Sequence, residues 1–122
     1  MIQALEKRSQ PVSCDEDRVL FREGDQPTGV YIVWKGTALL TRGSNGETVL
    51  TVEAPAGSLL GLPAVVGTKT YSLTAVAQED AEMSVVSCED FVDLMQEPYL
   101  AFQVLKVLAE EVRFARETLS LL

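Results

Sequence analysis

The residue pattern changes character once, near residue 87, and that break limits the folds open to the chain. Before it stand short runs rich in β-branched and aromatic residues, separated by turn signals. After it stand helical periods without a single Gly. The runs 19–22, 31–35, 37–42, 48–53, 71–77 and 82–86 are the strand candidates, several of them alternating apolar and polar residues. Glu23-Gly24-Asp25-Gln26-Pro27 reads as a turn, and Gly43-Ser44-Asn45-Gly46 as a hairpin loop between two clean strands. Short strands at this spacing, with Gly-rich turns, indicate a sandwich or roll. At 122 residues the chain is domain-sized and can bury a core without metal or disulfide staples. A single domain is expected, with an N-terminal segment 1–11, a β-roll 12–86 and helices over 87–122.

The helical part opens at Ser87, an N-cap with Asp90 three residues later in a capping-box-like pair. The helix it starts places Phe91, Leu94 and Met95 on one face, with Val92 beside them. Pro98 has no amide proton, so it ends that helix or opens the next at its first turn. From Tyr99 onward one uninterrupted helix is predicted. Its stripe Val104, Leu108, Val112, Ala115 and Leu119 recurs at four, four, three and four residues, a seam suited to a facing helix. So long a helix outruns a small roll, and the spacing predicts a homodimer through these residues.

Side-chain inventory excludes several functions. Asp and Glu number 18 against 10 Lys and Arg, a formal net charge of −8, and residues 79–97 carry seven acids with no Lys or Arg. A nucleic-acid surface needs the opposite sign, so no direct nucleic-acid contact is expected. With no His, the chain lacks imidazole bases, Ser-His or Cys-His nucleophile pairs and histidine metal sites. No catalytic residues, metal site or cofactor are expected, and the chain reads as a non-enzyme. Cys14 and Cys88 have no metal-ligand spacing and read as small core thiols of a reducing compartment, although sequence alone leaves a disulfide open. No run approaches the roughly 20 apolar residues of a membrane span, and the N-terminus has no signal-peptide stretch, so a cytoplasmic protein is expected.

Val19-Leu20-Phe21-Arg22-Glu23-Gly24-Asp25, followed by Gly29-Val30-Tyr31-Ile32-Val33-Trp34-Lys35-Gly36, resembles the start of a cyclic-nucleotide-binding domain. The type is that of the catabolite activator and Fnr-like bacterial transcription regulators. Pro55-Ala56-Gly57-Ser58-Leu59-Leu60-Gly61 resembles the family's approach to its phosphate-binding cassette. Ala77-Gln78-Glu79-Asp80-Ala81-Glu82 resembles the turn after the cassette, and Phe91 with the long last helix completes the likeness. The resemblance implies a mainly β fold with flanking helices: a double-stranded β-helix, jelly-roll-like, of about eight antiparallel strands with a short helix within 62–67. Cupin-type enzymes share that roll but hold a metal with His, which this chain lacks.

The resemblance also implies where a ligand would sit. Binders carry Phe-Gly-Glu-Leu-Ala, a short helix and then Arg followed by Ser, Thr or Ala. Gly and the helix start bring amides to the cyclic phosphate, Glu accepts from the ribose hydroxyl, and Arg pairs with the phosphate. Here the row is Leu60-Gly61-Leu62-Pro63-Ala64, with Tyr71 at the Arg position, Ser72 after it and Lys69 as the nearby cation. The expected ligand-facing residues are therefore Gly61, Leu62, Pro63, Ala64, Lys69, Tyr71 and Ser72, in a pocket lined by Leu60, Leu62, Val65, Tyr71 and Leu73. Without the Glu and Arg, ordinary cyclic-nucleotide binding is disfavoured. The function implied is a regulatory sensor domain, dimeric, with room for an unidentified small-molecule effector. Two alternatives stay open: a genuine cyclic-nucleotide-binding signalling domain, and a ligand-free structural dimerisation module. The chain is a stand-alone domain or a fragment of a longer DNA-binding regulator.

Overall fold

A computed structural model describes residues 2–15, 18–44, 46–67 and 69–121, except for the side chains of Ile2, Ser44, Val49 and 111–121. Its elements in chain order are α1 (Ile2–Lys7), β1 (Gln10–Val12), β2 (Arg18–Phe21), β3 (Gly29–Lys35), β4 (Ala38–Ser44) and β5 (Glu47–Ala54). They continue with β6 (Leu59–Leu60), α2 (Leu62–Gly67), β7 (Thr74–Ala77), β8 (Glu82–Ser87), α3 (Cys88–Leu94) and α4 (Pro98–Leu121). The described strands form two four-stranded antiparallel sheets, ordered β1-β8-β3-β6 and β2-β7-β4-β5. This is the mainly β jelly-roll with a long C-terminal helix that the resemblance implies.

Two apolar layers explain why β3 reads as a near-continuous hydrophobic run. Alternate residues of a strand point to opposite faces. Tyr31 and Val33 join the roll interior with Phe21, Leu60, Ala75 and Met83. Val30 and Ile32 join an outer layer with Leu5, Leu62, Val86, Phe91 and Val104, where helices cover the sheet. A strand buried on both faces has no polar side to show.

Most expected elements appear, with informative shifts. The strand expected from 71 begins only at Thr74. Tyr71 spends its backbone on the 23–27 turn instead: its N–H donates to Asp25 O (3.0 Å), and its C=O accepts from Gly24 N–H (2.8 Å). The hairpin loop is tighter than expected, because β4 runs to Ser44 through a register shift between Arg42 and Gly43. Ser87 caps α3, its Oγ accepting from Asp90 N–H at 3.1 Å. Pro98 opens α4, and the Glu97 carboxylate caps that helix by accepting from Tyr99 and Leu100 N–H at 3.1 and 2.9 Å. Three elements were not anticipated, namely α1, β1 and the two-residue β6. Strand β1 lies at a sheet edge, where Pro11 is tolerated.

Candidate functional site

The cassette occupies the stretch between β6 and β7. Gly61 turns the chain out of β6 with φ +88°, a left-handed conformation that side-chain-bearing residues resist. Helix α2 follows with Leu62, Ala64 and Val65 buried and Pro63 exposed. Leu62 and Val65 point into the outer layer, beside Leu5, Val30, Phe91 and Val104. Ala64 packs with the roll interior. The seven expected ligand-facing residues are therefore divided. Leu62 joins the helix interface, while Pro63, Lys69 and Ser72 are exposed. Among them, Ala64 and Tyr71 belong to the interior cluster.

Tyr71 fills the space beneath the cassette. Its ring is 2% exposed and stacks on Phe21 with centroids 3.9 Å apart and planes 16° off parallel. Phe21 in turn meets the Tyr31 ring at 5.6 Å. The Tyr71 hydroxyl donates to Gly29 O (2.8 Å) and accepts from Thr28 N–H (3.0 Å) and Gly29 N–H (3.2 Å), so its hydrogen-bonding capacity is used within the chain. A Cβ placed on Gly61 would lie 2.8 Å from Tyr71 Cε1. The glycine expected to let a ligand approach thus admits the edge of this ring. Among the described residues the one buried polar or charged residue is Ser84, so no charged side chain faces the roll interior. Lys69 makes no ion pair among the described residues.

Sequence reasoning did not single out Thr28, Gly29 or Phe21 as partners of Tyr71. The signal available was the aromatic at Phe21 in a β-rich run; Leu20 and Phe21 both enter the interior because the register shifts between Val19 and Phe21. Two open surface hollows lie among the described residues away from the cassette. One, about 490 Å³, lies along α3, where Arg8 reaches Asp90 (2.6 Å) and Asp93 (2.9 Å). Arg8 holds the Asp90 carboxyl below the usual carboxylate range, and the pairing raises the Arg8 guanidinium in turn. The other, about 390 Å³, lies beside Trp34.

Both cysteines are free and half-buried. Burial pushes the Cys14 thiol up, away from the reactive thiolate. No group of three or more metal-ligating side chains occurs among the described residues, and none of their helices is long and apolar enough to cross a membrane.

In α4, Val104 is buried against the outer layer, and Val107 and Leu108 pack partly against it. The first part of the expected dimer seam thus rests on this chain's own roll, and the outward apolar side chains are Tyr99, Phe102 and Leu105. The side chains of Val112, Ala115 and Leu119 lie outside the described residues.

The same architecture recurs in solved proteins. The catabolite activator protein of Thermus thermophilus superposes with a TM-score of 0.82 at 27% identity, over 98% of this chain and 57% of that one. A transcriptional regulator from Thermotoga maritima gives 0.82 at 22% identity, over 98% of this chain and 95% of that one. The sensor domain of the transcriptional regulator DNR from Pseudomonas aeruginosa gives 0.75 at 19% identity, over 95% and 79%. The last two likenesses speak for the fold alone. No curated protein sequence matches the chain. The chain spans little more than half the length of the Thermus catabolite activator. The family model for the cyclic nucleotide-binding domain matches residues 11–98, which takes in every strand from β2 to β8, the cassette and α3. On the strength of that match the chain belongs to the cyclic nucleotide-binding domain family.

Proposed function

We propose that this chain is a non-enzymatic regulatory module, one domain in extent, that does not take cyclic AMP or cyclic GMP in the family's ordinary way. The observation that carries the reading is Tyr71, whose ring occupies the roll interior under Gly61 with its hydroxyl committed to Thr28 and Gly29. A cyclic phosphate entering there would lose water and gain no cation, because Lys69 is exposed and the interior holds no charge among the described residues. Leu62, in the Glu position, offers the ribose no acceptor and packs among apolar residues. Any effector is instead an uncharged small molecule that reaches Gly61, Ala64 and Tyr71 by displacing the ring.

Calorimetry tests the reading. Cyclic AMP and cyclic GMP should bind with dissociation constants weaker than about 0.1 mM, a free energy of less than roughly 5.5 kcal/mol in magnitude. A micromolar constant for either nucleotide would overturn it.

The output we propose is self-association through α4. Leu105 points outward and is 60% exposed. In the sequence Val112 and Leu119 follow it at seven-residue intervals, alternating with Leu108, Ala115 and Leu122. That is an a/d repeat, which supports a seam that begins at Leu105, since Val104 is taken up by the roll. The likeness to the Thermus catabolite activator supports a place among transcription regulators.

A further inference from the structure

Seven acids without a Lys or Arg over residues 79–97 find no use in the cassette or in the helix seam. One of them, Glu82, lines the hollow of about 390 Å³ together with Glu6, Pro11, Val12, Trp34 and Ser84. The hollow sits at the end of α1 and beside the edge strand β1. Its wall is the half-buried Trp34, whose indole N–H donates to Ser84 Oγ at 2.7 Å. That bond fixes the ring in place and spends its one polar group.

The two carboxylates at the rim stand differently from those by α3. Asp90 and Asp93 are neutralised by Arg8. Glu6 and Glu82 make no ion pair among the described residues, although Lys7 follows Glu6 in sequence and Lys35 faces Glu82 across the β3–β8 ladder. No cation stands over the Trp34 ring either; the cation–π contact among the described residues is Lys106 on Phe102. An immobilised indole beside two unpaired carboxylates is chemically complementary to an alkylammonium or guanidinium group. The ring face attracts the charge, the carboxylates pair with it, and the apolar wall covers its methylene stem.

We propose that this hollow is a docking site for a basic segment of a partner protein, which inserts one Arg or Lys side chain between Trp34 and the Glu6 and Glu82 carboxylates. A tethered side chain suits the site better than a free cation, because the hollow is an open groove and a small ion would keep most of its water there. Further basic residues of the same segment gain from the −8 net charge of the chain. Pro11, in the middle of β1, has no N–H to offer, so the segment is held by its side chains and not as an added strand.

Trp34 is the single tryptophan, so its emission reports on this hollow alone. The test is a fluorescence titration with acetylated, amidated tetra-arginine and, separately, with acetyl-arginine amide. Tetra-arginine should produce a saturable change in emission. Glu6→Gln and Glu82→Gln should each weaken it about threefold, and the pair about tenfold, in keeping with exposed ion pairs. Glu53→Gln, which makes the same charge change on β5, should leave the midpoint unchanged. All three positions are exposed, and unaltered melting curves would show that the variants fold. The proposal is overturned by an emission that does not saturate, or by Glu53→Gln weakening binding as much as the rim variants, which would mark diffuse attraction. It is equally overturned if acetyl-arginine amide binds as tightly as tetra-arginine, which would mark a small-cation site.

Discussion

Replacing the Tyr71 hydroxyl with hydrogen removes the acceptor of the Thr28 and Gly29 amides and the donor to Gly29 O. Gly29 is buried, so its freed groups lose a partner without gaining water, and Tyr71→Phe should cost about 1–3 kcal/mol in urea unfolding. Gly61→Ala should cost about 1–3 kcal/mol from its backbone conformation alone, and more if the Tyr71 ring does not give way. The Arg8–Asp90 pair makes a pH prediction. Asp90 is lowered in the folded state, so the pair's contribution is complete above the ordinary Asp value of about 3.9 and is lost as pH falls through the lower folded value. The melting-temperature gap between the native chain and Arg8→Ala should therefore be widest near neutrality and shrink in acid. A gap constant with pH would mean that Arg8 acts by packing alone. Of these residues the sequence disclosed Gly61 and Tyr71 by position, but not what Tyr71 does there. A tyrosine replacing an arginine shows a missing charge, whereas a ring stacked on Phe21 depends on contacts between residues fifty positions apart. Arg8 was illegible for a like reason, since its partners are 82 and 85 residues away.

At the scale of elements, alternation and caps were sufficient wherever an element carries its own signal. Strands β3, β4, β5 and β8 and the Ser87 cap of α3 appear near their expected bounds because period, turn and cap are local. Helix α1 and strands β1 and β6 have six, three and two residues, too short for a period to show, and exist through packing: Leu5 is 1% exposed in the outer layer. Helix α4 was legible in extent but not in orientation. An apolar load wide enough for two faces does not say which one meets the roll, and the roll takes Val104. If Leu105 begins the seam to a second copy, Leu105→Glu should leave the circular dichroism spectrum of the folded domain unchanged, because the side chain is exposed in the single chain. It should also abolish any concentration dependence of melting and move the light-scattering mass from dimer to monomer at micromolar concentration. A native chain that scatters as a monomer at high concentration would remove the proposed output.

At the scale of the whole molecule, one sheet separates two apolar layers, and the cassette touches both. Ala64 lies in the roll interior while Leu62 and Val65 of the same helix contact the layer that holds Leu5, Phe91 and Val104. Under the proposed regulatory role, a shift of α2 would reach α1, α3 and α4 through these apolar contacts. On the proposed reading Tyr71, packed under Gly61, acts as a plug for the cassette. The most direct measurement is a two-dimensional amide NMR titration with cyclic AMP, following Gly29, Gly61, Ala64 and Tyr71. If the ring closes the cassette as proposed, these four amides should show no shifts that half-saturate below about 0.1 mM nucleotide, the limit set for the dissociation constant. Shifts at Gly61 and Ala64 that half-saturate below that limit, accompanied by displacement of the Gly29 amide as the Tyr71 hydroxyl leaves it, would contradict the account.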